Sequence, residues 1–465
     1  MASLQFLGAI GEVTGSAYLI RTARSTLLLE CGLHQGRGAD QANEAPFEFS
    51  VAEIDAVVLS HAHLDHSGLL PKLVKEGYRG PIYMTRATHD LLDIMLHDAA
   101  FLQMKDTEWE NKQRHRAGKA PLEPLYTDQD VETTLQQRQT LDYRQRIPIC
   151  PDVQLQYHDA GHILGSGIVE LTLEDSDPPR RLVFSGDLGN MHHPLLQDPA
   201  FLQQADTLLL ESTYGDRNHR AYPNTVEEFH QALQAASEAG GNVLIPAFAV
   251  GRTQEILFWL GKFYRQGRLP QRQIFLDSPM AIAASELYFR YLHLFNDDDA
   301  QAFVETVKHR WEEWLPGLRC TRTVEESMQI NQIHGGAIII AGSGMCTGGR
   351  ISHHLKNNLW KNNTHLIIVG FQAAGTPGRA LVDGTERLRL FGHDVSVKAH
   401  LHTLGGFSAH ADQQHLLEWA GHFQPRPKLY LVHGEQDKRE ILQEQFRQQH
   451  DWNAHLPAYK EKIEL

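Results

Sequence analysis

The chain is predicted to be an α/β protein in which stacked sheets covered by helices are interrupted by a second α/β domain with a mostly parallel sheet. Three observations predict this. Over the first two hundred residues short apolar runs alternate with Gly-containing turns, and helical patterns are few. From about Asn242 each apolar run stands beside an amphipathic helical stretch, the strand-helix rhythm of a parallel sheet. Past Phe391 short strands return with two helices, so one domain reads as split by another.

In the first part, strands are expected at residues 4–10, 17–20, 26–29, 56–59, 153–157, 168–173, 182–184 and 208–210. A short helix is expected after His66, a long polar one over 88–116, and one capped at Thr127 or Asp128. In the interrupting part, strands at 243–248, 274–276, 338–341 and 366–369 stand beside helical stretches such as 253–264, and the closing helices span 412–423 and 438–450. The resulting domains are 1–215, 216–395 and a return segment 396–465. Neither repeats nor low-complexity tracts break this order.

With 465 residues and 42% hydrophobic content the chain can bury a large core, enough for two or three domains. Its N-terminus lacks a basic region followed by an apolar one, and no apolar run approaches the ~18 residues that span a bilayer. A cytoplasmic protein without membrane contact is expected. The net charge of −14 argues against non-specific coating of nucleic acid, which needs clustered Lys and Arg. It leaves room for a nuclease whose cleft is made attractive to phosphate by bound dications and a few arginines. Cys31, Cys150, Cys320 and Cys346 are too scattered for a zinc ribbon or redox pair, so any metal must come from His and carboxylates.

That points to His61-Ala62-His63-Leu64-Asp65-His66. The run Asp55–Leu59 before it reads as a buried strand, which puts the cluster on the loop leaving its end, where ligands converge. Imidazole suits zinc and carboxylate suits a harder or bridging role, so the hexad offers ligands to two adjacent metals. Two later residues fit as further ligands, His162 in Ala160-Gly161-His162-Ile163-Leu164-Gly165-Ser166 and Asp187 in Phe184-Ser185-Gly186-Asp187-Leu188-Gly189. A lone His in such a turn is more often structural. The two together with the hexad favour a hydrolytic site, which needs several ligands and an open water position.

Here the sequence resembles the metallo-β-lactamase fold and, within it, the β-CASP family of nucleic-acid nucleases. Further motifs carry the resemblance over nearly the whole chain: Glu211 in Leu210-Glu211-Ser212-Thr213-Tyr214-Gly215-Asp216-Arg217, His410 in Phe407-Ser408-Ala409-His410-Ala411-Asp412, and His433 in Leu431-Val432-His433-Gly434-Glu435. The resemblance implies that His61, His63 and His162 hold one zinc ion, that Asp65, His66 and His433 hold a second, and that Asp187 bridges them. Two dications sharing a hydroxide suit in-line attack on a phosphodiester. His410 with Glu211 resembles the family's pair for protonating the leaving group, and Asp65 counts with them as catalytic.

In the inserted domain, Gly342-Ser343-Gly344-Met345-Cys346-Thr347-Gly348-Gly349-Arg350 separates an apolar strand from a helix, so its N–H groups suit a phosphate. Arg252, Ser343, Arg350 and Arg379 are the expected phosphate contacts, on RNA lying in a cleft between the domains. Where the family usually has Asp, this chain has Glu30 in Leu29-Glu30-Cys31-Gly32, expected to support metal ligands rather than bind. The resemblance thus implies a zinc-dependent ribonuclease acting on RNA, single strands above all, by metal-activated hydroxide. A DNA nuclease of the superfamily and a catalytically silent RNA-binding scaffold are the alternatives, and a homodimer stays open.

Overall fold

The computed structural model describes every residue except 1, 37, 192, 297–299 and 374. It divides into two compact units, one of Met1–Met191, Asp198–Asn218 and His410–Leu465, the other of His192–Gln197 and His219–Ala409. No helix among the described residues is long and apolar enough to cross a membrane.

Two seven-stranded sheets build the first unit. One runs in the order Lys462–Glu464, Ser3–Phe6, Tyr18–Arg21, Thr26–Leu29, Ala56–Val58, Ile82–Thr85, Arg138–Leu141, and the other Ala454–His455, Lys428–Val432, Thr207–Glu211, Arg180–Phe184, Gly167–Leu173, Val153–Asp159, Arg146–Cys150. Strand alternation sends Leu4, Phe6, Ile20, Leu27 and Leu29 from one sheet against Leu155, Tyr157, Val169, Leu171 and Phe184 from the other, all at most 1% exposed. Each such side chain contributes about 1.5–3 kcal/mol of transfer free energy. On the far face of the second sheet, Ile168, Val183, Leu208 and Leu210 pack against Leu416, Trp419, Leu442 and Phe446 of helices Gln413–Gly421 and Gln436–His450. Helix Arg86–Arg116 lies on strands Ile82–Thr85 and Arg138–Leu141 of the first sheet and on helix Asp128–Leu135, which also meets Leu70–Lys75. The result is the helix-covered sandwich of stacked sheets.

What positions the site is a parallel stretch within the second sheet. Arg180–Phe184, Thr207–Glu211 and Lys428–Val432 are neighbours, with Phe184 opposite Leu209 and Glu211 opposite Val432. Their carboxyl ends therefore share one edge, so the residues following 184, at 211 and following 432 meet although two hundred residues of chain separate the last two.

The second unit carries a six-stranded sheet in the order Leu318–Cys320, Gln273–Leu276, Ala337–Ala341, Val243–Pro246, His365–Ile368, His400–Thr403, parallel at every pairing. The apolar run beginning at Val243 ends as a strand at Pro246, short of Phe248. Its sixth strand, His400–Thr403, falls beyond residue 395. The chain rejoins the first unit at His410 because this strand completes the parallel sheet before the return.

Candidate metal centre

Buried strand Ala56–Val58 delivers the hexad to the sandwich edge, and His63 precedes the four-residue helix Leu64–Ser67 that carries Asp65 and His66. Ser67 Oγ donates to the carbonyls of Ala62 (2.9 Å) and His63 (3.0 Å), pinning the turn. The loops bearing His162 and Asp187 are locked by close backbone approach. Gly189 N donates to Ala160 O at 2.7 Å, and a Cβ at position 189 would lie 2.0 Å from the Gly161 carbonyl oxygen. Only glycine fits there.

All seven expected ligands converge, in two groups. His63 Nδ1 faces His61 Nε2 at 3.1 Å and His162 Nε2 at 3.2 Å, while Asp187 Oδ2 stands 3.5 and 3.6 Å from His61 Nε2 and His162 Nε2. In the second group His66 Nε2 faces His433 Nε2 at 3.2 Å, and Asp65 Oδ2 stands 3.9 and 3.6 Å from these two nitrogens. Asp187 Oδ1 is 3.3 Å from His66 Nε2 and 3.4 Å from His433 Nδ1. One carboxylate thus offers one oxygen to each group.

The donor chemistry fits metal ions. A tetrahedral zinc site with bonds of about 2.0–2.1 Å sets its ligand atoms roughly 3.3 Å apart, close to these separations. Facing ring nitrogens can share at most one proton, so mutual hydrogen bonding cannot satisfy His61, His63 and His162 together. Asp187 Oδ1 is buried without a hydrogen-bond partner, a costly state for a carboxylate oxygen unless a cation neutralises it. Burial holds the His61 ring well below the ordinary imidazole range and lowers His63 too, leaving neutral lone-pair donors. Burial alone would raise Asp65, but the His66 charge and a hydrogen bond from His433 bring it down to about 2.

Around the ligands a supporting shell is visible. Glu30 is fully buried, with Oε2 at 2.6 Å from His66 Nδ1, and its carboxylate accepts from Ser60 N (2.6 Å) and Ser60 Oγ (3.1 Å). Ser60 Oγ also lies 2.9 Å from His61 Nδ1, and Thr213 Oγ1 lies 3.2 Å from His433 Nδ1. Ser60 and Thr213 escaped the sequence reading. One adjoins the hexad and the other sits inside Glu211-Ser212-Thr213, so adjacency was the available signal.

Beside the first group, His410 Nδ1 is 3.2 and 3.3 Å from the Glu211 oxygens and 3.9 Å from Asp187 Oδ2. Glu211 is buried and accepts from Leu188 N at 2.7 Å, which fixes its carboxylate. Burial alone would lower His410. The charge and hydrogen bond of Glu211, then Asp187 and Asp65, outweigh it and raise the ring to about 9, so it is protonated at neutral pH.

The four expected phosphate contacts lie in the second unit and differ in availability. Arg252 is 5% exposed and ion-paired with Glu255, whose carboxylate also accepts from Tyr222 Oη at 2.5 Å. Arg350 donates to Asp277 Oδ1 (2.6 Å) and to the carbonyls of Thr321 (3.0 Å) and Arg322 (2.8 Å). Arg379 is half exposed in an i,i+4 pair with Asp383, and Ser343 Oγ lies 3.0 Å from Thr347 Oγ1.

A helix-covered double sheet with His/Asp groups at the carboxyl edge of its strands defines a metallo-hydrolase fold of the metallo-β-lactamase type. Comparison with known families agrees: residues 10–140 match the metallo-beta-lactamase superfamily, 253–381 the Beta-Casp domain, and 394–457 the Zn-dependent metallo-hydrolase RNA specificity domain. The chain is 42% identical to Ribonuclease TTHA0252 of Thermus thermophilus over 93% of both chains. It is 32% identical to transcription termination factor FttA of Methanocaldococcus jannaschii, over 94% of this chain and 67% of that one, and 33% identical to FttA of Thermococcus kodakarensis, over 93% and 66%. An Enterococcus faecalis V583 crystal structure of unknown function shares the fold at TM-score 0.54 and 12% identity, over 99% of both chains. The protein belongs to the β-CASP family of the metallo-β-lactamase superfamily.

Proposed function

We propose that the protein is a zinc-dependent ribonuclease that hydrolyses phosphodiesters of single-stranded RNA with two metal ions. The observation that carries this is the pairing of two ligand groups through one carboxylate, Asp187, with His410 and Glu211 beside them. A relative named ribonuclease and the match to an RNA specificity domain support RNA as the substrate. His61, His63, His162 and Asp187 would hold one ion, and Asp65, His66, His433 and Asp187 the other. Such a pair, when bound, lowers the pKa of the attacking water and clamps the phosphoryl oxygens.

The chain's own residues do the rest. Glu211 engages His410 at Nδ1 and keeps the ring charged, which leaves Nε2 as the nitrogen to protonate the departing ribose oxygen. Glu30 fixes the orientation of His66 through Nδ1 and so supports its Nε2 as a ligand. Arg379 and Ser343 are the proposed phosphate contacts, because an exposed i,i+4 pair contributes about 0–1 kcal/mol and yields Arg379 to a phosphate at small cost. Arg350, held by Asp277, anchors the end of the loop that carries Ser343, whereas Arg252 is committed to Glu255 within its own helix.

Incubating the metal-loaded protein with end-labelled RNA and DNA of one sequence tests this. Cleavage of RNA with DNA left intact is expected. Preference for DNA would move the chain to the DNA-acting branch, and absence of cleavage with RNA binding retained would make it a scaffold.

A further inference from the structure

Phe248 is 41% exposed, yet its ring is held. It follows strand Val243–Pro246 at the carboxyl edge of the parallel sheet. Thr253 Oγ1 donates to Phe248 O at 2.7 Å, and Ala247 N to Ala341 O at 3.1 Å. On either side lie glycines that follow neighbouring strands. A Cβ at Gly344 would fall 2.9 Å from Phe248 Cδ2 and 3.0 Å from its Cε2, and one at Gly370 would fall 4.0 Å from Cε2. Gln372 Nε2 ties these loops together, donating to Gly344 O (2.9 Å), Phe371 O (2.9 Å) and Gly370 O (3.3 Å).

The location is one where α/β sheets bind ligands. Val243–Pro246 connects to Gln273–Leu276 on one side of it, whereas its neighbour His365–Ile368 connects onward to His400–Thr403 on the other. Adjacent strands whose crossovers leave in opposite directions make a topological switch point, with a crevice outside their carboxyl ends. Phe248 stands on the loop leaving the first strand and Gly370 and Phe371 on the loop leaving the second, with Ser343 and Gly344 on the loop leaving Ala337–Ala341. A single exposed aromatic is ordinary on a protein surface. An exposed aromatic at a switch point, with its orientation fixed by glycine loops that keep side chains off it, has the properties of a stacking surface.

We infer that the Phe248 ring is a stacking platform for one unpaired base of the RNA strand, making Phe248 a substrate-binding residue of the inserted domain. The inference rests on the proposal that RNA is the substrate. Every base has a π-face, so the platform tolerates sequence and selects for a single strand, because a base paired in a duplex cannot swing out to stack. Ser343 and Arg379 would meet the backbone phosphates of the strand whose base lies on Phe248.

The test uses the full metal-loaded protein with a single-stranded oligoribonucleotide and with bis(p-nitrophenyl) phosphate, a diester without a base. For Phe248→Ala the RNA KM should rise roughly 5- to 150-fold, the equivalent of about 1–3 kcal/mol per stacked base, with kcat and diester hydrolysis within about threefold of wild type. Phe248→Tyr should restore KM and Phe248→Leu should not. A second measurement needs no variant: RNAs carrying one abasic nucleotide, walked along the strand, should lose affinity for the wild-type protein at a single position. An unchanged KM in Phe248→Ala, equal rescue by Leu and Tyr, or an abasic walk without a position-specific loss would each overturn the platform. Wild-type protein that neither binds nor cleaves RNA would instead overturn the RNA reading on which it stands.

Discussion

His410 sits within 3.3 Å of both Glu211 oxygens but 3.9 Å from Asp187, a placement that suits the proposed role in proton transfer. Replacing it by Ala should lower kcat roughly 10²-fold or more, the usual contribution of a general acid, while metal content stays at the wild-type level. Parallel measurement of turnover and of zinc by elemental analysis checks this, and a fully metallated variant with normal turnover would remove His410 from the mechanism. Glu30 makes the opposite prediction. Its carboxylate touches His66 on the nitrogen facing away from the ligand group, so Glu30→Gln should weaken metal affinity by roughly 10- to 100-fold. Saturating metal should then recover most of the activity. Competition against a chromophoric chelator reads the affinity directly, and equal affinity for variant and wild type would leave Glu30 without a supporting role.

At the scale of elements, the glycine-rich loop Gly342–Gly348 is anchored through the helix on its C-terminal side. Helix Gly349–Asn358 sends Arg350 and His354, one turn apart, onto the buried Asp277 carboxylate, each at 2.6 Å. Thr321 Oγ1 (2.6 Å) and Ser327 Oγ (2.7 Å) also donate to Asp277. Burial alone would raise this carboxyl, but the hydrogen bonds from His354, Ser327, Thr321 and Arg350 hold it well below the usual carboxylate range. A folded-state pKa below the unfolded value of about 3.9 adds stability that is fully present above that value and is lost as pH falls below it. Asp277→Asn should therefore destabilise the second unit at pH 7, by up to about 3–5 kcal/mol as for a broken buried ion pair, with the difference narrowing below about pH 4. Urea unfolding of wild type and variant across pH 3–7 measures it. A difference constant over that range would show that Asp277 is not the titrating group.

On the scale of the whole molecule, an acidic chain of net charge −14 gathers the seven proposed ligands at one edge of the two-sheet sandwich and leaves carboxylate charge buried there. Two zinc ions per chain are expected by elemental analysis of protein purified without chelator. Their removal should lower the unfolding temperature of the first unit, because a ligand present at about 100 times its Kd stabilises by roughly 2.7 kcal/mol. For a unit of this size that is on the order of 5–10 °C per ion, read by calorimetry with and without chelator. A stoichiometry below one, or an unfolding temperature indifferent to chelation, would sink the two-metal reading. By itself the sequence determined the fold class and the chemical types gathered in the site. Apolar periodicity records which face of a strand or helix is buried, and the hexad keeps four ligand-bearing residues within a single loop and turn. Tertiary structure decided what depends on partners distant in the chain. Asp187 comes to face both groups because parallel pairing sets the strand before it beside the one ending at Glu211, which is itself paired with the one ending at Val432. Arg350 reads as a free cation in a glycine-rich loop until the fold supplies Asp277 from 73 residues away, and Arg252 is likewise committed to Glu255. Phe248 reads as the end of an apolar strand, yet the strand stops at Pro246 and the glycines of two neighbouring loops leave its ring in the open. Local pattern encodes periodicity and residue type, whereas the partner of a charge and the exposure of a ring are properties of packing between segments far apart in sequence.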